Sequence, residues 1–349
     1  MSATEYELPI ADRIEGLKQP YEHSVLKGQE EAEAHFLEAA CSGRLHHAWL
    51  LSGPTGCGKA TFAFRMARYF AQANEQECAA LTADDLDKAG AHDNPIFKQI
   101  ARGGHPNILH LRIPFDEKTK KFKTLMTVDE VRRSVAFFGM SSGDKGWRIA
   151  IVDSANDMNA NAANALLKIL EEPPEKTLFF LLSPQPSRLL PTIRSRCQHL
   201  ALKPLDDNSL IAALENASHD ISFDIDALKK HHNVINGSVR RAFHFSNNDA
   251  EVLLNDFNVL ISQQPTYDIP MLHRFADNVS ARNADEKYGF FIEFIENYVA
   301  SKVRAFDNIT PLVSWTEVWD KMQARIKQEE ALNLDRKQTV LALFHDLRI

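Results

Sequence analysis

Cysteine is scarce in this chain: four among 349 residues, at Cys41, Cys57, Cys78 and Cys197. No two of them form a C-x-x-C pair, so neither a compact zinc site nor a disulfide framework has its usual carrier. Long apolar runs are also missing. The longest, Leu178–Leu182, falls far short of the roughly 20 residues that a membrane helix needs. The first residues, Met1-Ser2-Ala3-Thr4-Glu5-Tyr6-Glu7, are acidic and lack the basic-then-apolar order of a signal peptide. The expectation is a protein of the reducing cytoplasm with no membrane partner. Positive charge is not in excess: 40 Lys+Arg stand against 47 Asp+Glu, a net charge of -7. That balance argues against coating DNA by bulk electrostatics and leaves a local basic face, or DNA binding within an assembly. No internal repeat is evident.

The length suits two or three domains with a substantial core. Helical character covers Glu30–Ala40, with Ala32, Phe36, Leu37 and Ala40 on one side. His47–Ser52 reads as a short apolar strand. It runs into a glycine-rich turn and then a helix in which Phe62, Ala63, Met66, Ala67 and Phe70 share a face, while Arg65 and Arg68 fall elsewhere. Residues 73–126 are polar and irregular, with Phe115–Lys123 an exposed loop or hairpin tip. A helix is predicted from Val128 to about Phe138. Two more buried strands, Arg148–Asp153 and Thr177–Ser183, flank a helix over Ala160–Glu172 that Pro173-Pro174 stops. Strands alternating with helices imply an α/β fold with a largely parallel sheet. After about Pro204 helical patterns dominate. The expected division is a core over 1–204, a small helical domain over 205–248 and a helical C-terminal domain over 249–349.

Gly53-Pro54-Thr55-Gly56-Cys57-Gly58-Lys59 matches G-x-x-x-x-G-K in strand–turn–helix context. Gly53, Gly56 and Gly58 let backbone N–H groups turn inward to cradle phosphate oxygens, and Lys59 would reach the terminal phosphates. The next position breaks the pattern. A working loop places Ser or Thr there to put a hydroxyl on magnesium; this chain has Ala60. Thr61 points about 100° around the helix and substitutes poorly. The strand Ile149-Ala150-Ile151-Val152-Asp153 ends on an acid, where an ATPase holds magnesium. Many such enzymes follow it with a glutamate that polarises the attacking water; Ser154 cannot serve as that base. Asp153 is equally readable as an ordinary strand-end aspartate. Two losses in one site predict no intrinsic ATPase and no required cofactor, with weak ATP or ADP binding left open.

Leu189-Leu190-Pro191-Thr192-Ile193-Arg194-Ser195-Arg196-Cys197 closely resembles the Ser-Arg-Cys signature segment of bacterial clamp-loader ATPases of the AAA+ class. Leu45–Leu51, Thr127–Arg132, Ala162–Pro174 and Gly237-Ser238-Val239-Arg240 resemble segments of the same family, over about residues 20–245. The resemblance implies an AAA+ P-loop core, a helical lid over 205–248 and an oligomerising collar over 249–349. It makes Arg196 an arginine finger acting in trans on a neighbour's ATP, Ser183 the first sensor position and Arg240 the lid's sensor arginine. It implies a noncatalytic stator in a pentameric hetero-oligomer of DNA polymerase III. The partners would be motor subunits of gamma/tau type, the clamp-opening delta subunit and, through the assembly, the sliding clamp and primer-template DNA. Related subunits often carry a four-cysteine zinc module after the P-loop helix. Only Cys78 lies in that region here, so no zinc is expected, and what fills residues 76–97 is not readable. The rivals are an active gamma-like motor and an AAA+ adaptor outside replication. His46-His47 and His231-His232 read as structural, the former because adjacent strand residues face opposite ways. The Lys118–Lys123 cluster reads as solvated.

Overall fold

A computed structural model of the chain describes residues 9–11, 13–73, 80–139, 146–153, 155–218, 223–247, 250–282, 284–305, 309–332 and 334–348. These form two compact units: residues 1–222 with 237–239, and residues 223–236 with 240–349.

The first unit is built on five strands: β1 (Ala48–Ser52), β2 (Ile108–Leu111), β5 (Arg148–Val152), β6 (Thr177–Ser183) and β7 (Gln198–Ala201). Their order is β2-β5-β6-β1-β7, every pairing parallel. Side chains alternate between faces along a strand, and both faces are covered. Trp49, Leu51, Ile149, Ile151, Leu178, Phe180 and Leu182 pack under α1 (Glu30–Cys41) and α2 (Lys59–Phe70). Ala48, Leu50, Ala150, Val152, Phe179 and Leu181 pack on the other side under α5 (Val128–Gly139) and α6 (Ala160–Glu171). Burial on both faces is why these strands read as continuous apolar runs. Phe36 is fully buried on the first face, its ring 4.8 Å from Trp49 and 5.8 Å from Phe180. Burying one such ring contributes about 1.5–3 kcal/mol.

Two strands were not predicted. β2 and β7 sit at the sheet's edges, and neither shows a continuous apolar run. Residues 115–123 form the expected hairpin tip, β3 (Phe115–Asp116) against β4 (Lys121–Phe122). The Asp116 carboxylate accepts from the Lys118 and Thr119 N–H groups at its turn.

The placement of Arg65 and Arg68 corrects the sequence reading. Both are buried, because α2 is covered all round between Phe62 and Phe70. Part of that cover is α3 (Ala83–Ala89) and α4 (Pro95–Ala101), which lie in or run out of the stretch 76–97 that the sequence left unreadable; residues 76–79 lie outside the described residues. Thr82 and Asp85 form a capping box on α3, and Asn94 caps α4, whose first residue is Pro95. Arg65 binds Glu33 of α1 through Nε at 2.8 Å and Asp87 of α3 through Nη2 at 2.7 Å. Arg68 donates Nε to Phe64 O and lies 5.1 Å over the Phe97 ring of α4. Its Nη groups have no hydrogen-bond partner. Burial, then the neighbouring Arg65, brings its pKa down to about 9.

His23 lies in the segment leading to α1. Burial, then Lys18 and Arg68 charge, holds its pKa down at about 4. Because the folded value is depressed, the unfolded chain binds the extra proton between pH 6.5 and 4. The stability this group contributes is complete above pH 6.5 and is lost as pH falls through 4. The loss by pH 4 is about 3 kcal/mol. His47 and His110 are shifted the same way, burial being the main cause in each. Urea unfolding at pH 7 and pH 4.5 should therefore show marked acid destabilisation, which His23→Gln reduces by about 2 kcal/mol.

The regular elements described in the second unit are helices, including α9 (Ile225–Lys230), α11 (Val239–Asn247, from Arg240 on), α12 (Ala250–Ser262), α13 (Ile269–Val279), α14 (Asp285–Ala305), α15 (Ile309–Leu332) and α16 (Arg336–Asp346). Its centre is aromatic. Phe257, Phe291 and Phe344 are fully buried, with Phe257 4.7 Å from Phe294 and 5.6 Å from Phe344. No helix of the described residues is long and apolar enough to cross a membrane.

Candidate functional site: the phosphate loop and the exposed arginine

The glycine loop joins β1 to α2, as the motif requires. Gly53, Gly56 and Gly58 have φ of +138°, +81° and +102°, a region that side chains rarely enter. At Gly53 a Cβ would also stand 2.4 Å from Leu202 O. Lys59 Nζ donates to Gly53 O at 2.8 Å and Pro54 O at 2.7 Å. Burial lowers its pKa. Cys57 is fully buried in the loop, and burial raises its thiol pKa.

Two longer-range ties brace this loop. The buried Gln29 amide donates to Cys57 O at 3.0 Å and Lys203 O at 2.7 Å, and accepts from Lys203 N. Val239 N donates to Gly56 O at 3.1 Å. The second tie depends on Gly237, at φ +63°, where a Cβ would lie 2.3 Å from Leu205 N. Neither tie is written in local sequence, since each joins residues far apart along the chain.

Asp153 follows β5, its N–H bonded to Leu111 O. Its carboxylate faces a residue that sequence reasoning missed. His110 Nε2 lies 3.5 Å from Asp153 Oδ2, and the His110 ring meets Phe64 edge-on at 5.1 Å. Ser154 lies outside the described residues. Ser183 ends β6, fully buried, and its hydroxyl has no hydrogen-bond partner. The sheet order thus brings the P-loop, Asp153 and Ser183 to the C-terminal ends of neighbouring strands, where open α/β sheets bind ligands. The position after Lys59 offers the Ala60 methyl and no hydroxyl to a magnesium ion. Arg240 belongs to the second unit, on α11.

Arg196 follows the short helix α7 (Pro191–Arg194) and stays 35% exposed. Its Nη1 donates to Thr192 O at 2.9 Å, and its Nη2 pairs with Glu171 Oε1 at 2.7 Å. Cys197 beside it is partly buried, and burial pushes its thiol up to about 12, so it stays protonated.

The paired histidines differ from expectation. β1 starts at Ala48, so strand alternation does not govern His46 and His47, and their rings stack at 4.5 Å. Each has a backbone contact: His46 Nδ1 with Ala48, and His47 Nε2 with Leu170 O. In the second pair, His231 approaches Glu251 and His232 contacts Lys229 O. Among the described residues no cluster of three His, Cys, Asp or Glu could hold a metal ion; Cys78 lies outside them.

A five-stranded parallel sheet covered on both faces, with a glycine loop between its β1 strand and the following helix, defines an α/β P-loop core, followed along the chain by a helical C-terminal region. The chain belongs to the DNA polymerase III delta′ clamp-loader subunit family: the family model described as "DNA polymerase III, delta subunit" matches residues 28–206, just over half the chain. Over 151 residues it is 42% identical to DNA polymerase III subunit delta′ of Pseudomonas aeruginosa, covering 43% of this chain and 41% of that one. Over 167 residues it is 36% identical to the delta′ subunit of Bacillus subtilis, covering 48% and 45%. It is also 30% identical over 203 residues to the gamma/tau subunit of Mycobacterium tuberculosis, covering 56% and 31%. The matched stretch spans less than half the length of each of these relatives.

Proposed function

We propose that this chain is a noncatalytic stator of the DNA polymerase III clamp loader. It donates Arg196 to the ATP of a neighbouring motor subunit of gamma/tau type. The observation that carries the reading is the contrast between its two chemical features. The phosphate loop keeps its glycines and Lys59 but ends on Ala60, while the Arg196 side chain stays 35% exposed. A guanidinium is always charged and forks onto phosphate oxygens, so it can complete a site on another chain. In this reading residues 205–248 form the lid and 249–349 the collar of a pentameric ring containing delta. The ring places the sliding clamp on primer-template DNA in the cytoplasm. Gly53, Gly56, Gly58, Lys59, Asp153, Ser183 and Arg240 are the remnant of an ancestral nucleotide site that needs no cofactor and no zinc.

The test is nucleotide binding and hydrolysis by the isolated chain with magnesium. The expected result is no turnover above background, with weak or absent ATP and ADP binding. Clear turnover would reclassify the chain as a motor. A pull-down with clamp-loader subunits separates the proposal from an AAA+ adaptor outside replication, which would form no stable complex with them.

A further inference from the structure

The Arg196 guanidinium is fixed by its own chain from two directions. One contact is local, Nη1 to Thr192 O at 2.9 Å. The other comes from a different element: Glu171, the last residue of α6, reaches Nη2 at 2.7 Å. Helix α7 packs against α6, which holds the two ends together. Glu171 is 49% exposed and Arg196 35%, and pairs that open to solvent contribute little to stability. Their effect is on freedom. A long arginine side chain loses rotamer entropy when it docks, and a guanidinium already held in one orientation loses less. Nη1 also reaches Ser195 Oγ at 3.5 Å, so of the five guanidinium N–H donors three are engaged and two are left for an incoming anion.

We propose that Glu171 is the positioning residue for Arg196, holding the guanidinium oriented for the terminal phosphate of a nucleotide bound to the neighbouring subunit. The proposal rests on the finger reading of Arg196. The carboxylate also lowers the positive field at the arginine, but at an exposed position salt screens that effect, and orientation outweighs it.

The test uses the assembled loader with one functional motor site, the one Arg196 is proposed to serve, together with primed DNA and sliding clamp, and measures DNA-stimulated ATPase. Glu171→Ala is expected to lower kcat by about 3–10-fold, with KM for ATP unchanged. Glu171→Gln, which keeps an acceptor oxygen, should fall between Glu171→Ala and the parent. The unfolding temperature should not move in either variant. In an Arg196→Ala background, Glu171→Ala should have no further effect, as expected of two residues acting as one unit. Unchanged kcat in Glu171→Ala beside a defective Arg196→Ala would overturn the positioning role and leave the finger reading standing. An equal loss in both backgrounds would overturn it too, because Glu171 would then act elsewhere. Faster turnover in Glu171→Ala would show restraint in place of positioning. A silent Arg196→Ala would remove the finger reading, and the positioning role with it.

Discussion

Arg196→Ala in the assembled loader is expected to leave subunit composition intact and to lower hydrolysis at the site it serves by about 10³-fold or more. That is the scale of arginine fingers supplied in trans in GTPases. The side chain is partly exposed, and among the described residues its hydrogen bonds and ion pair are to Thr192, Ser195 and Glu171, so its removal should not disturb folding. Where the other motor sites keep turning over, bulk DNA-stimulated ATPase falls only in part. A rate measured on loaders with a single functional motor site would show the full effect. Arg196→Lys keeps the charge but loses the planar fork and should recover little. Arg194→Ala, two residues away and also exposed, is the control and should be close to silent. Full activity of Arg196→Ala would end the finger assignment.

The largest expected effect on stability is at Arg65. Arg65→Ala leaves the Glu33 carboxylate, only 12% exposed, without its partner, and breaking a buried pair from one side costs about 3–5 kcal/mol. For a unit of this size that corresponds to a fall of roughly 10 °C in unfolding temperature. Replacing both sides, Arg65→Met with Glu33→Leu, should recover most of the loss, because no uncompensated charge remains. Arg68, one turn further along α2, predicts the opposite. Its Nη groups are buried without hydrogen bonds, so Arg68→Met should be close to neutral. Thermal unfolding of the three variants checks both statements. A large loss from Arg68→Met would mean that its stacking on Phe97 matters more than its desolvation.

The central strands and the helices that cover them were legible because their signals are local. Parallel strands buried on both faces show as apolar runs, and Pro173-Pro174 ends α6 by removing donors and clashing. The edge strands were not legible. β7 exposes Gln198, His199 and Ala201 and buries Leu200 alone, so its pattern carries no run. The glycine-loop conformation was readable for the same reason as the core: its glycines sit at fixed spacings within one short segment. Arg65 and Arg68 were misplaced because helix periodicity reports one packed face. It does not reveal that α3 and α4 return to cover the other.

By itself the sequence determined the loop conformation, through glycines at positive φ, and the missing magnesium hydroxyl at Ala60. It also determined the Ser195-Arg196-Cys197 segment, on which the proposed finger rests. Only the tertiary structure decided the partners: Gln29 with Cys57 and Lys203, His110 with Asp153, Arg65 with Glu33 and Asp87, Glu171 with Arg196. The physical reason is range. Backbone sterics and side-chain periodicity act over a few residues and are written where they act. A contact between distant segments depends on which strands and helices the sheet order makes neighbours, and no residue type encodes that order alone.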